Sequence, residues 1–203
     1  MHSVNNMNNM NMNSTKNEMP LYAVNFFSRI EKYLDTKIYY FGSVQRDDYF
    51  FGASDIDTCI FTTNESSTIW KLQNLFNKSK YEFKKFINYL PTSKKIVNGY
   101  ILNYKDAYNN FSTDIIIYNE KYKEDVLKDN KYKIDVPFYI TFLLLIVKTM
   151  HYKLYILPKS VYTFFKKLIM DILDDGVNFL NVRTNTWKFM TFEIPNDPSK
   201  KEN

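Results

Sequence analysis

Two short strings dominate this sequence: Phe41-Gly42-Ser43 and, after eleven intervening residues, Asp55-Ile56-Asp57. The first closes a β-branched and aromatic run, Lys37 to Phe41, which reads as a strand stopping at a turn. The second opens an apolar stretch with Ile56, Cys59, Ile60 and Phe61, which reads as another strand. Acidic residues at i and i+2 of a strand point to one face, and the apolar residue between them points to the other. Such a pair offers hard oxygen ligands to a divalent cation. Glycine lets backbone approach a ligand closely, and clustered N–H groups favour phosphate. A third carboxylate, Asp114, stands in Phe111 to Tyr118, a further strand after the turn Asp106 to Asn110. Asp106, Glu120 and Asp135 are its nearest rivals. If that strand lies beside the one carrying Asp57, three carboxylates converge next to a phosphate-binding turn. That arrangement suits two metal ions, one activating an attacking hydroxyl and one stabilising a leaving pyrophosphate. Asp47 and Asp48, in the loop Asp47 to Ser54, read as solvated, and Ser54 reads equally as a phosphate contact or a hydrogen bond within the loop.

The rest of the chain supplies a frame for this constellation. A 45% hydrophobic content excludes wholesale disorder. The single cysteine, Cys59, excludes an intramolecular disulfide framework and a four-cysteine zinc site. A net charge of +5 is compatible with a polyanionic partner and decides nothing alone. The Asn/Met tract Met1 to Met19 has no apolar periodicity and reads as disordered. No stretch has the pattern of a signal peptide or the length of a membrane span, so a soluble, cytoplasmic protein without membrane contact is expected. Leu21, Val24, Phe27, Ile30 and Leu34 predict a helix from Pro20 to Leu34. Ser67 to Tyr89 reads as a second helix, with Ile69, Leu72, Leu75, Phe76, Phe83, Phe86, Ile87 and Leu90 as its buried side. Lys95 to Lys105 reads as a strand, and helices are expected at Phe138 to Tyr152 and Lys159 to Leu173, the latter stopped by Asp174-Asp175-Gly176. Phe179 to Ile194 fits neither period cleanly. The order predicts an α+β (or α/β) domain with a mixed sheet over residues 20–125, a helical part over 126–195 and a flexible tail over 196–203. The densest basic stretch, Lys78, Lys80, Lys84, Lys85, Lys94 and Lys95, reads either as a polynucleotide contact or as a solvated helix face. Neither His2 nor His151 makes a metal site or a triad.

The pattern FGS-x10-SDID, with Asp114 as a later strand carboxylate, resembles the signature of the nucleotidyltransferase superfamily of DNA polymerase β. Phe41 before the glycine and Ser54 before Asp55 are similar to non-canonical poly(A) polymerases and terminal uridylyltransferases. The resemblance covers Leu21 to Tyr118 and implies a mixed-sheet nucleotidyltransferase fold with a short helical subdomain. It implies Mg²⁺ or Mn²⁺ held by Asp55, Asp57 and Asp114, and a nucleoside triphosphate cradled by Gly42, Ser43 and Ser54. Asp114 is then the candidate to deprotonate the acceptor hydroxyl. Ile146-Val147-Lys148 resembles the family's lysine-bearing helix facing the triphosphate. Ser160-Val161-Tyr162 resembles its element in which Ser touches phosphate and Tyr stacks on the base. The expected acceptor is an RNA 3′ end. The alternatives are a protein or tRNA acceptor, with a partner subunit supplying the acceptor site, and a non-catalytic nucleotide-binding subunit.

Overall fold

The computed structural model describes residues 12–173. In chain order the elements are α1 (Leu21–Leu34), β1 (Ile38–Phe41), β2 (Ile56–Thr62), α2 (Glu65–Phe76), β3 (Phe83–Leu90), β4 (Lys95–Asp106), β5 (Phe111–Asn119), α3 (Lys123–Ile134), α4 (Phe138–Tyr152) and α5 (Lys159–Leu173). The strands form one mixed sheet in the order β1-β2-β5-β4-β3. Only the β2–β5 pair is parallel. A parallel neighbour needs a crossover connection, which α2 and the β3–β4 hairpin supply.

Alternation along the strands divides the core into two layers. Thr113, Ile115 and Ile117 of β5 face α1 and α2, where Phe27, Ile30, Ile69 and Leu72 are buried. Asp114, Ile116 and Tyr118 face the other way, towards Cys59, Phe61, Phe86 and Val126 of α3. In α1 the buried residues Ala23, Phe27, Ile30 and Leu34 lie at helical spacing, whereas Leu21 and Val24, expected on the same face, are exposed. The helix ends where Asp35 turns left-handed at φ 52°.

The helix expected over Ser67 to Tyr89 is two elements. It stops at Asn77, left-handed at φ 51°, and a turn capped by Ser79 leads into β3. Phe83, Phe86 and Leu90 imitate helical spacing because β3 buries both faces: Phe83 packs in the α1–α2 layer, Phe86 and Leu90 in the α3 layer. Ile87, assigned to the buried side, is exposed. Gly99 stands opposite Phe86, where a Cβ would crowd the Phe86 ring. The basic stretch therefore lies on an edge strand and its turns rather than on a helix. Within it, Lys78 pairs with Glu82 and Lys95 with Asp125.

α3 has no counterpart in the sequence reading. Its string KEDVLKDNKYKI is polar, and only Val126, Asp129, Asn130 and Ile134 are buried. Asp129 accepts from the Thr92 hydroxyl at 3.2 Å and pairs with Lys133 at 2.8 Å. Although it follows the boundary drawn at residue 125, α3 packs on the sheet. α4 and α5 form where expected and share a small core of Ile140, Leu144 and Ile169.

The expectation of disorder over residues 1–19 is overturned for residues 12–19. Met12 is buried, and its carbonyl accepts the Tyr40 N–H at 2.8 Å on the open edge of β1. The Asn17 amide donates to the carbonyls of Val44 at 3.0 Å and Arg46 at 2.7 Å. Composition predicts no face to bury, but an unpaired sheet edge needs only backbone groups and amides. Residues 1–11 lie outside the described residues. So do 174–203, with the expected helix stop at Asp174-Asp175-Gly176, the ambiguous Phe179 to Ile194 and the tail 196–203. Among the described residues no single helix is long and apolar enough to cross a membrane.

Candidate active site

β1 and β2 are antiparallel with Phe41 opposite Asp57, so the chain leaving β1 turns directly beside that carboxylate. Gly42 makes the turn at φ +70°, and a Cβ there would collide with Oδ2 of Asp57. Only glycine satisfies both the left-handed backbone and the contact. Parallel pairing then sets Asp57 of β2 level with Asp114 of β5, and Asp55 precedes on the same face as Asp57. The three expected carboxylates thus occupy neighbouring positions at one end of the sheet.

Their side chains are held differently. Asp55 is exposed and accepts the Ser112 hydroxyl. Asp114 accepts the Asn103 amide on Oδ1, and Asn103 lies directly opposite it on β4. Burial, then the charges of Asp114 and Asp55, push the Asp57 carboxyl up to about 6, against the opposing pull of Lys166 and Arg46. Among the described residues no group of three His, Cys, Asp or Glu side chains is gathered closely enough to form a metal cage as it stands. The donor set still fits a divalent ion: three neighbouring carboxylates supply hard oxygen ligands, and the charges of Asp55 and Asp114 disfavour the Asp57 anion that such an ion would stabilise.

The spacer between the two motifs is clamped. Asp48, expected in solvent, is fully buried, and Arg46 grips it through Nε at 2.7 Å and Nη2 at 3.1 Å. Lys148 is 1% exposed. Its ammonium pairs with Asp48 Oδ2 at 2.8 Å and donates to the Asp48 carbonyl at 2.8 Å and to Ser54 Oγ at 3.5 Å. Burial raises the Asp48 carboxyl, but the hydrogen bond and charge of Arg46, followed by Lys148, outweigh it and hold the group below its ordinary value. Burial pushes Lys148 down to about 8, with Asp48 opposing and Lys166 and Arg46 adding to it. An ammonium has three donors, and all three are taken. Lys148, expected to face a triphosphate, is here engaged by Asp48 and Ser54 and ties α4 to the loop. Asp47 does stay exposed, paired with Lys16.

The other expected helpers separate. Ser43 is buried, and its hydroxyl donates to the Asp55 carbonyl at 3.5 Å. Ser54 is buried and accepts the Phe50 N–H at 3.1 Å, which favours its loop reading. Ser160 is exposed in the first turn of α5. Tyr162 is buried with one ring face stacked on His151, centroids 4.4 Å apart and planes 7° from parallel, and accepts from the Tyr152 hydroxyl at 3.4 Å. One face of the ring expected to stack on a base is thus packed against His151. Burial raises the Tyr152 and Tyr162 phenols, and the Asp55 charge adds to both.

Sequence reading missed Lys166, Asn103 and Ser112. Lys166 lies one turn beyond Tyr162 on the inward face of α5, half-buried, and its charge acts on Asp57 and on Lys148. A helical i to i+4 step from Tyr162 could have flagged it. Asn103 and Ser112 are visible only once the β2–β5–β4 register is known.

No curated protein matches the chain. Among solved structures it is similar to one described as the structure of the GLD-2/RNP-8 complex, at 10% identity and a TM-score of 0.39, covering 75% of this chain. The chain spans 58% of the length of that one. The nucleotidyltransferase domain family matches residues 23–156, a span from α1 to the loop after α4 that contains the glycine turn and all three carboxylates. With that match over more than half of its length, and an α+β mixed-sheet architecture to suit it, the chain belongs to the nucleotidyltransferase domain family.

Proposed function

We propose that this protein transfers a nucleoside monophosphate from a nucleoside triphosphate to a hydroxyl acceptor, releasing pyrophosphate, and that the acceptor is an RNA 3′ end. The observation that carries the reading is the level pairing of Asp57 with Asp114 beside the side-chain-free turn at Gly42. Asp55, Asp57 and Asp114 would hold divalent cations, Mg²⁺ or Mn²⁺. Such ions, when bound, neutralise triphosphate charge and make an acceptor hydroxyl more acidic. Asp114 Oδ2, the oxygen not engaged by Asn103, would take the proton from that hydroxyl. The freed oxygen attacks the α-phosphorus, a new P–O bond forms, and the bond to the bridging oxygen breaks as pyrophosphate leaves. Gly42 and Ser43 let the triphosphate approach backbone. Lys166, rather than Lys148, supplies the cation that faces the carboxylates. The RNA acceptor rests on the motif's resemblance to RNA-tailing enzymes and on the net charge of +5. The buried thiol of Cys59 and the NTP substrate suit a cytoplasmic setting.

The test is labelled-nucleotide transfer from each of the four NTPs with Mg²⁺ or Mn²⁺, with and without an RNA primer, for wild type and Asp57→Asn. A ladder on the primer that Asp57→Asn abolishes supports the reading. A single Asp57-dependent addition to protein or tRNA supports transfer but replaces the acceptor. NTP binding that survives Asp57→Asn, with no turnover by either chain, identifies a non-catalytic nucleotide-binding subunit and sinks the enzyme reading.

A further inference from the structure

α4 is apolar on nearly every side, yet only Ile140, Leu144 and Lys148 of it are buried. Phe138 is 83% exposed and Phe142 51%, and Leu143, Leu145 and Ile146 are exposed beside them. α5 adds Phe164, Phe165 and Leu168, also exposed. Phe138 to Val147 contains no charged residue. A helix apolar all round is normally covered, and an apolar surface of this extent marks a contact site.

The occupant is indicated by where the described chain ends. α4 and α5 run antiparallel: His151 and Tyr152, near the end of α4, meet Tyr162 near the start of α5, while Ile140 meets Ile169. The chain therefore leaves α5 at Leu173 beside Phe138 and the first turns of α4, which are the most exposed part of the surface. The residues that follow Asp174-Asp175-Gly176 include Phe179, Leu180, Trp187, Phe189, Met190 and Phe192. Asp174 to Gly176 can span about 10 Å at roughly 3.3 Å per residue. The bare stretch Phe138 to Ile146 is about 13 Å long at 1.5 Å per helical residue. A segment tethered at that end meets the surface at high effective concentration, which gives it an advantage over any free partner.

We propose that residues 177–194 of this chain dock on the exposed apolar face of α4 and α5 and complete the helical half of the molecule. The docking does not rest on the proposed chemistry.

The two tryptophans make the test direct. Trp70 is 62% exposed on α2, so Trp70→Phe leaves Trp187 as the only indole at little cost to the fold. In the full-length Trp70→Phe chain, Trp187 should emit blue of the urea-unfolded chain and be quenched by acrylamide several-fold more slowly. Adding Phe142→Asp should return emission and quenching towards the unfolded values with far-ultraviolet circular dichroism unchanged. Ile96→Asp, on the distant β3–β4 hairpin, should not. If Phe142→Asp does not fold, amide hydrogen exchange over 177–194 in the Trp70→Phe chain decides, with slowed exchange expected. Trp187 quenched as freely in the folded as in the unfolded chain overturns the proposal. Protection that persists in folded Phe142→Asp places the segment elsewhere and overturns it as well. Protection lost on dilution, as mass falls from dimer to monomer, assigns the face to a second copy instead.

Discussion

At the scale of single residues, the site rests on two that oppose stability. Gly42 is tied to its position by a positive φ and by the Asp57 oxygen where a Cβ would stand. Gly42→Ala should cost about 1–3 kcal/mol in urea unfolding, the range for a strained backbone position, and should abolish nucleotide transfer because Asp57 must move. Asp57 is a carboxylate whose folded pKa, about 6, lies above its ordinary value of 3.8. A group raised in this way contributes its stability below the unfolded value and loses it as pH rises through the folded one. Metal-free protein should therefore lose stability between about pH 4 and 6. Asp57→Asn should remove that slope and raise stability at pH 7 by about 1–3 kcal/mol while eliminating turnover. Thermal melts across pH with chelator present check the sign. Mn²⁺ should raise the melting temperature of wild type and leave that of Asp57→Asn where it was.

Secondary-structure elements decide which groups can reach the site. α5 carries Tyr162 and Lys166 on one face; the tyrosine is packed against His151, and the charge of the lysine acts on Asp57. Lys166→Ala should raise KM for the NTP severalfold with a smaller change in kcat, and Lys166→Arg should restore most of it, because positive charge rather than a particular donor geometry is what the position supplies. A purely structural lysine would move stability and leave KM in place. The segment 12–19 works on the β1 edge of the sheet. A chain beginning at Met12 should be more stable than one beginning at Met19 by about 2–4 kcal/mol, the sum expected of one buried methionine and a few net hydrogen bonds. Chemical denaturation of the two chains measures the difference. The α2–β3 region shows how element type escapes the sequence. Phe83, Phe86 and Leu90 have helical spacing, and a strand buried on both faces produces the same spacing without a helix. α3 was hidden for the converse reason, since its apolar face is two residues, Val126 and Ile134, among polar ones.

For the molecule as a whole, the buried group Arg46, Asp48 and Lys148 fastens the helical pair to the sheet domain. Lys148→Met should cost about 3–5 kcal/mol, the penalty for leaving one member of a buried ion pair behind. It should weaken transfer through loosening of the loop between the two motifs. Asp48 is held below its ordinary pKa, so its contribution is present above about pH 4 and lost as pH falls further. Asp48→Asn should blunt the acid limb of the stability profile, opposite in sign to the effect at Asp57. The sequence by itself determined the strand ending at Gly42-Ser43, the same-face pair Asp55 and Asp57, and the type and bounds of α1, β4, β5, α4 and α5. Each follows from periodicity or turn chemistry within a few consecutive residues. The tertiary structure alone decided that Asp114 lies level with Asp57, that Asn103 holds Asp114 and Ser112 holds Asp55, and that Lys148 is spent on Asp48 while the charge of Lys166 acts on Asp57. Strand register and the burial of a charge depend on which distant segments meet, and no local pattern records that.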